Sequence, residues 1–149
     1  MTTQNGKASK AKKRSYHHGD LRSALLAASE KILESEGIQA LTLRAAARAV
    51  GVSHTAPQNH FNDLTGLLSE LAAVGYQRFC TALRDAAEKT AADTKDNRSK
   101  QVGKAYVQFA RSHPRLFALM FRSEKLDAEH PGLRTAIDAA RQVLRETSS

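Results

Sequence analysis

The chain has 149 residues, 41% of them apolar, enough to bury the core of one medium domain or two small ones. Its single cysteine, Cys80, excludes an intrachain disulfide framework and a cysteine zinc finger, and no run of 18 apolar residues is present to span a membrane. The net charge is +8, which fits either a polyanion partner, nucleic acid before membrane, or a basic protein kept soluble by its charge.

Residues 1–62 carry nine Lys/Arg against four Asp/Glu; residues 63–149 carry fourteen against eleven. The first half is therefore the denser in positive charge. No apolar stretch follows the N-terminal charges, so no signal peptide is expected and a soluble cytoplasmic protein is. Few β-branched runs and abundant Ala and Leu favour helices throughout.

MTTQNGKASKAKKR holds five positive charges and no negative one. It lacks the apolar surface to fold alone, so residues 1–15 are expected to be a disordered basic arm, able to lie on phosphates or simply solvated. In the next segment Leu21, Leu25, Ala28 and Ile32 recur at helical spacing, flanked by Ala24 and Leu33. Asp20 is placed to cap this helix and Gly37 to end it in a left-handed turn. His17 and His18 precede it; a neighbouring pair without a third ligand reads as surface or phosphate-proximal rather than as a metal site.

Thr42 is a cap candidate before LRAAARAV, Gly51 supplies a sharp turn, and Ser53 is a second cap candidate. Ala47, four residues before Gly51, allows close helix packing. Two short helices joined by a tight turn make a helix-turn-helix unit over residues 16–63. Its second helix would lie in a DNA major groove. Ser53, His54, Thr55, Gln58, Asn59 and His60 both donate and accept hydrogen bonds, as base edges and phosphates require. Pro57 falls in or just past the first turn, where a missing N–H is harmless, and Phe61 turns into the core. The competing reading is a polar solvated face, which leaves the Ala47–Gly51–Ser53 spacing and the basic arm unexplained.

Asp63 is expected to cap a long helix whose apolar side holds Leu64, Leu67, Leu68, Leu71, Gly75, Tyr76, Phe79 and Leu83. Cys80 lies at an apolar position of it, as a part-buried thiol. AADTKDNRSK reads as a loop. Val102, Tyr106, Phe109 and Ala110 then share a face. PRLFALMF is either a buried short helix, with Leu116, Phe117, Leu119, Met120 and Phe121 as core, or a pocket wall. KLDAEH is a loop. Leu133, Ala136, Ile137, Ala140 and Leu144 make a final amphipathic helix, whose exposed apolar face over 133–145 would seek a partner.

Three stretches resemble the TetR-type (TetR/AcrR) bacterial transcription regulators, in the branch with a WHG-like C-terminal domain. They are YHHGDLRSALLAAS, LTLRAAARAVGVSHTAPQNHFNDLTGLLSELAAVGY and ARSHPRLFALMF. The resemblance spans roughly residues 15 to 145. It implies an all-α fold, with three N-terminal helices that bind DNA and a helical effector and dimerisation domain over residues 64–149. It further implies a homodimer that represses transcription at a palindromic double-stranded DNA operator and is released by a small molecule. Thr42 and Arg44 would open the supporting helix near DNA. Ser53, His54, Thr55, Ala56, Gln58, Asn59 and His60 would occupy the recognition helix, and Lys12, Lys13 and Arg14 a basic arm. Tyr76, Phe79, Tyr106, Phe109, Phe117 and Met120 are the candidate lining of an effector pocket.

The chain departs from the family pattern at four points. Gln58 stands for a usual phosphate-contacting tyrosine and Leu64 for a usual lysine, which should weaken DNA binding and flatten its salt dependence. Ala45 replaces the acidic partner of Thr42, so no capping box forms. The chain also stops after the expected seventh helix, so the last helices, which normally build the dimer interface, are expected to be lacking. The alternative to a specific regulator is a truncated ligand- or partner-binding module with weak, non-specific DNA binding. An enzyme is not expected, nor a cofactor. No metal cluster, phosphate loop or nucleophile with its base is visible, His54 and His60 are six apart, and His113 before Pro114 reads as a helix start.

Overall fold

The computed structural model describes the backbone of residues 3–148 and the side chains of residues 20–147. Among these residues every regular element is helical: α1 (Thr3–Glu36), α2 (Leu43–Val50), α3 (Ala56–Phe61), α4 (Leu64–Lys89), α5 (Lys95–Ser112), α6 (Pro114–Met120) and α7 (Pro131–Ser148). Single 3-10 turns lie at Ile38–Ala40 and Ser123–Lys125. No helix of the described residues is long and apolar enough to cross a membrane.

α4 is the axis of the molecule, in contact with α1, α3, α5, α6 and α7. Three helices, α5, α6 and α7, crowd it at once, so its apolar surface is broader than one stripe. Leu67, Leu68, Leu71, Gly75, Tyr76, Phe79 and Leu83 are buried as expected, and Ser69, Ala72, Ala73 and Cys80 join them. Cys80 is thus buried, and burial pushes its thiol pKa up, with Arg84 opposing. Leu64, the first residue of α4, is the exception, 36% exposed. Asp63 does cap α4: its carboxylate accepts from the Gly66 N–H at 2.7 Å.

α7 lies along α4 with Leu133, Ala136, Ala140 and Val143 buried. The expected solvent-facing apolar side of 133–145 is therefore covered within the chain. The helical phase puts Val143 inside and leaves Leu144 37% exposed. Ser69, buried in α4, accepts from the Asp127 N–H at 2.8 Å and pins the segment leading into α7.

Three other expectations are corrected. AADTKDNRSK is not a loop throughout: α5 starts at Lys95, capped by Thr94, whose hydroxyl accepts from the Asn97 N–H at 3.3 Å. Polar composition does not break a helix that has a cap and Asp96 in its first turn. Phe121 is 58% exposed because α6 has ended at Met120 and the chain turns outward there. Gly37 ends α1 with positive φ, but at φ 96°, ψ 169° it is extended rather than left-handed helical.

α1 runs backwards past its expected start. Its backbone is non-helical at Asp20 (φ −120°, ψ 15°), where two helical stretches meet at a kink. The backbone upstream, expected to be irregular, continues helically from Thr3; it contains no proline and several good helix formers. The side chains of Lys12, Lys13, Arg14, His17 and His18 lie outside the described residues. Downstream of the kink, Leu25, Ile32 and Leu33 are buried, and Ser29 beside them bonds back to the Leu25 carbonyl at 2.7 Å.

Candidate nucleic-acid interface

Thr42 is extended (φ −131°, ψ 162°), and its hydroxyl accepts from the Ala45 N–H at 3.0 Å. With alanine at 45 this is half of a capping box. Ala46 and Ala47 are the buried side of α2; Arg44 and Arg48, one turn apart, are exposed. Gly51 closes α2 in the left-handed region (φ 83°, ψ 33°), and the Ala47 carbonyl accepts from both the Gly51 and Val52 N–H groups at 2.9 and 3.0 Å. This double acceptance reverses the chain in two residues, so α3 returns against α2.

Ser53 does not cap the second helix. The cap position is Thr55, without a side-chain cap bond, and α3 begins at Ala56. Pro57 is the reason. A helix capped by Ser53 would ask residue 57 to donate to the Ser53 carbonyl, and proline has no N–H. The Ala56 N–H takes that carbonyl instead, at 3.1 Å, and Pro57 falls within the first turn, where no donor is required. The Ser53 and Thr55 hydroxyls pair at 3.2 Å.

α3 is anchored by buried Pro57 and Phe61. Ser53, His54, Thr55, Gln58 and Asn59 are exposed; Ala56 and His60 are half-buried. The candidate contact residues in this segment thus divide into a polar outward set and two that face partly inward. Thr42 and Arg44 are exposed beside them at the start of α2.

The junction from α3 to α4 is two residues long. Asn62 has φ 74° and ψ −56°, and the Asp63 N–H donates to the Phe61 carbonyl across it at 2.9 Å. This is a γ-turn, rare for a residue with a side chain. The Arg22 guanidinium from α1 reaches the same corner. It makes a two-pronged pair with Glu70 of α4, donates to the His60 carbonyl at 2.9 Å and lies 5.0 Å from the centre of the Phe61 ring. Neither Asn62 nor Arg22 was marked by a local sequence signal; their partners are fixed by the fold.

The candidate pocket residues are brought together, chiefly as a packed aromatic cluster. Phe79 meets Tyr106 at 5.2 Å and Phe109 at 5.8 Å between ring centres, and Phe117 meets Tyr106 at 5.8 Å and Phe109 at 6.3 Å, all edge to face. The Tyr76 hydroxyl donates to the Met120 carbonyl at 2.7 Å, and burial raises its pKa. An open groove of about 730 Å³ runs between α4 and α5, lined by Asp85, Lys89, Lys104, Phe109 and His113 among others. Of the six candidate residues it reaches only Phe109. His113 joins α5 to α6, and its buried Nδ1 has no hydrogen-bond partner.

Residues 99–148 match a family model described as the tetracyclin repressor-like C-terminal domain. The structure is similar to that of a protein of unknown function from Rhodococcus sp. RHA1, at 38% identity and TM-score 0.74, over 89% of this chain and 70% of that one. It is also similar in fold to the TetR family transcriptional regulator PfmR from Thermus thermophilus, at 19% identity and TM-score 0.63, over 83% of this chain and 68% of that one. No curated protein matches the chain.

Proposed function

We propose that the chain is a TetR-type transcription regulator, in keeping with the C-terminal family match and the all-helical fold, and that it is a sequence-specific DNA-binding repressor released by a small-molecule effector. Residues 16–63 are the DNA-binding head, and residues 64–149 form the effector and dimerisation domain. The operator is double-stranded, palindromic and bound by a homodimer in the cytoplasm. The head takes no part in chemistry; it reads and holds DNA.

One observation carries this reading. The exposed, two-way hydrogen-bonding set Ser53, His54, Thr55, Gln58 and Asn59 sits on a segment held from behind by Pro57 and Phe61. A rigid polar ridge suits base edges, whose donors and acceptors alternate over short distances. Arg44 and Arg48 on the neighbouring helix supply charge for the phosphates.

A fluorescence-polarisation titration tests it, using duplex DNA from upstream of the chain's own gene and a scrambled control, with salt varied. Preference for the native duplex by about a thousandfold or more is the expected result. Equal, weak, salt-sensitive binding to both would replace it with the reading of a helical module whose head binds DNA without specificity.

A further inference from the structure

The geometry points to Arg22 as the residue that sets the position of the recognition helix, a role that rests on the DNA-binding reading above. Two ion pairs tie α1 to α4 at the same offset of 48 residues: Arg22 with Glu70, and Glu30 with Arg78 at 2.6 Å. Their polarity is reversed, with the cation on α1 in the first and on α4 in the second. As fasteners of one helix to the other they are equivalent. They differ in what else they touch.

Arg78 donates through Nη1 to the Glu30 carboxylate. Arg22 turns its remaining nitrogen to α3: Nη1 donates to the His60 carbonyl at 2.9 Å, and Cζ lies over the Phe61 ring, 5.0 Å from its centre. The His60 carbonyl belongs to the last turn of α3, where carbonyls have no partner within the helix. A cation at that end also meets the negative pole of the helix dipole. The fork shape matters. One planar group holds both Glu70 oxygens and the carbonyl at fixed angles, a geometry that the rotatable donors of an ammonium do not impose. Arg22 is therefore a three-way joint between α1, α3 and α4, placed at the end of a six-residue helix that has little hold of its own.

Freed from this joint, α3 keeps Pro57 and Phe61 in the core but loses its fixed tilt. Base contacts depend on tilt; phosphate contacts tolerate more of it. Arg22 thus governs discrimination between sequences more than general affinity for DNA.

The test compares full-length Arg22→Met with Arg78→Met, each of which removes one α1–α4 pair and keeps an aliphatic stem. Arg22→Lys, which keeps the charge but not the fork, is a milder second variant should Arg22→Met fold poorly. Amide exchange over residues 56–63 is read without DNA, and binding is then read on specific and scrambled duplexes. The expected result is exchange about tenfold faster in both Arg22 variants and near wild type in Arg78→Met. The specific-to-scrambled ratio should fall about tenfold in the Arg22 variants, with binding to scrambled DNA and its salt slope retained. Equal changes in the Arg22 and Arg78 variants would overturn the proposal and make Arg22 an ordinary fastener. Loss of affinity for both duplexes with a salt slope smaller by about one would overturn it differently, by making Arg22 a phosphate contact. If the wild-type chain shows no sequence preference, the DNA-binding reading fails, and the exchange data still decide whether Arg22 holds α3.

Discussion

A β-carbon on Gly66 would stand 2.0 Å from the Phe61 carbonyl oxygen, with the carbonyl carbon at 3.1 Å. Gly66 lies in the first turn of α4, and Phe61 is the last residue of α3, so the approach is between two backbones. The same carbonyl accepts from the Asp63 N–H, so it cannot rotate away without breaking the γ-turn. Gly66→Ala would gain about 1 kcal/mol of helix propensity. A contact that short between backbone atoms outweighs it. The variant is expected to lose about 1–3 kcal/mol or more of stability by overpacking, and to displace α3. Urea denaturation reads the first effect and the specific-to-scrambled DNA ratio the second; a variant as stable as wild type would refute the steric account.

Gly75 makes the opposite case on the same helix. Its β-carbon would meet Met120 Cγ and Sδ at 2.9 Å and Leu116 Cγ at 3.3 Å, all side-chain atoms of α6. Methionine repacks readily. Gly75→Ala is therefore expected to fall within about 1 kcal/mol of wild type, propensity offsetting strain, whereas Gly75→Leu should push α6 off α4 and lower the thermal midpoint. A large loss in Gly75→Ala would mean that Met120 is held more firmly than its chemistry suggests.

What the sequence made legible was mostly local. The caps Thr42 and Asp63, the turn at Gly51 and the buried stripe of α4 depend on residues a turn or two apart, and the structure has them in place. Ser53 misleads because its own identity suggests a cap, while the missing donor at Pro57 decides the outcome. Lys95 to Lys100 resemble a loop only if charge is taken for irregularity, although an exposed first turn of a helix is normally polar. Leu144 outranks Val143 on hydrophobic size, but helical phase decides which is buried. The contacts of Arg22 with α3 and α4, between residues 38 and 48 positions apart, have no local signature at all.

Glu34 joins the end of α1 to the start of α6 in a way no spacing rule shows. Its carboxylate accepts from the Leu116 N–H at 2.7 Å and the Arg115 N–H at 3.4 Å, while the Arg115 guanidinium donates to the Glu34 carbonyl at 3.0 Å. α1 thus caps α6, and α6 caps α1, each satisfying groups the other leaves open. His113, at the cap position of α6, makes no side-chain cap bond, so Glu34 does that work from 82 residues away. Glu34→Ala should cost about 0.5–2 kcal/mol, the range of a lost helix cap. Glu34→Gln, which keeps one acceptor oxygen, should cost less. Equal losses in the two variants would show that charge, not acceptance, is what α6 requires.

On α3, Asn59 is, like Gln58, an exposed side chain able to make a two-point base contact through its amide N–H and C=O groups. Asn59→Ala is expected to reduce specific binding by about 1–3 kcal/mol and to leave the salt slope unchanged. Arg44→Ala should instead weaken specific and scrambled duplexes alike and reduce the slope by about one. Polarisation titrations at several salt concentrations separate the two patterns. An Asn59→Ala protein with unchanged operator affinity would remove that residue from the readout set.

Tyr76 gives the fold a dependence on alkaline pH. Burial, the largest cause, raises its pKa above the ordinary 10.0; Arg141 works against the shift and Tyr106 with it. The folded state therefore keeps the phenol proton to higher pH than the unfolded state does. Between the two pKa values the native chain holds the extra proton, so stability falls as pH rises. The stabilisation is complete below the ordinary value and is lost as pH climbs through the raised one. Ionisation would also remove the donor of the 2.7 Å bond to the Met120 carbonyl, which fastens the end of α6 to α4. Tyr76→Phe lacks both the bond and the titration. At pH 8 wild type should be the more stable by about 0.5–1.5 kcal/mol, and this advantage should shrink above pH 10. Urea unfolding of both proteins at pH 8 and above 10 measures the difference; curves that stay parallel would show that the hydroxyl is not desolvated in the folded chain.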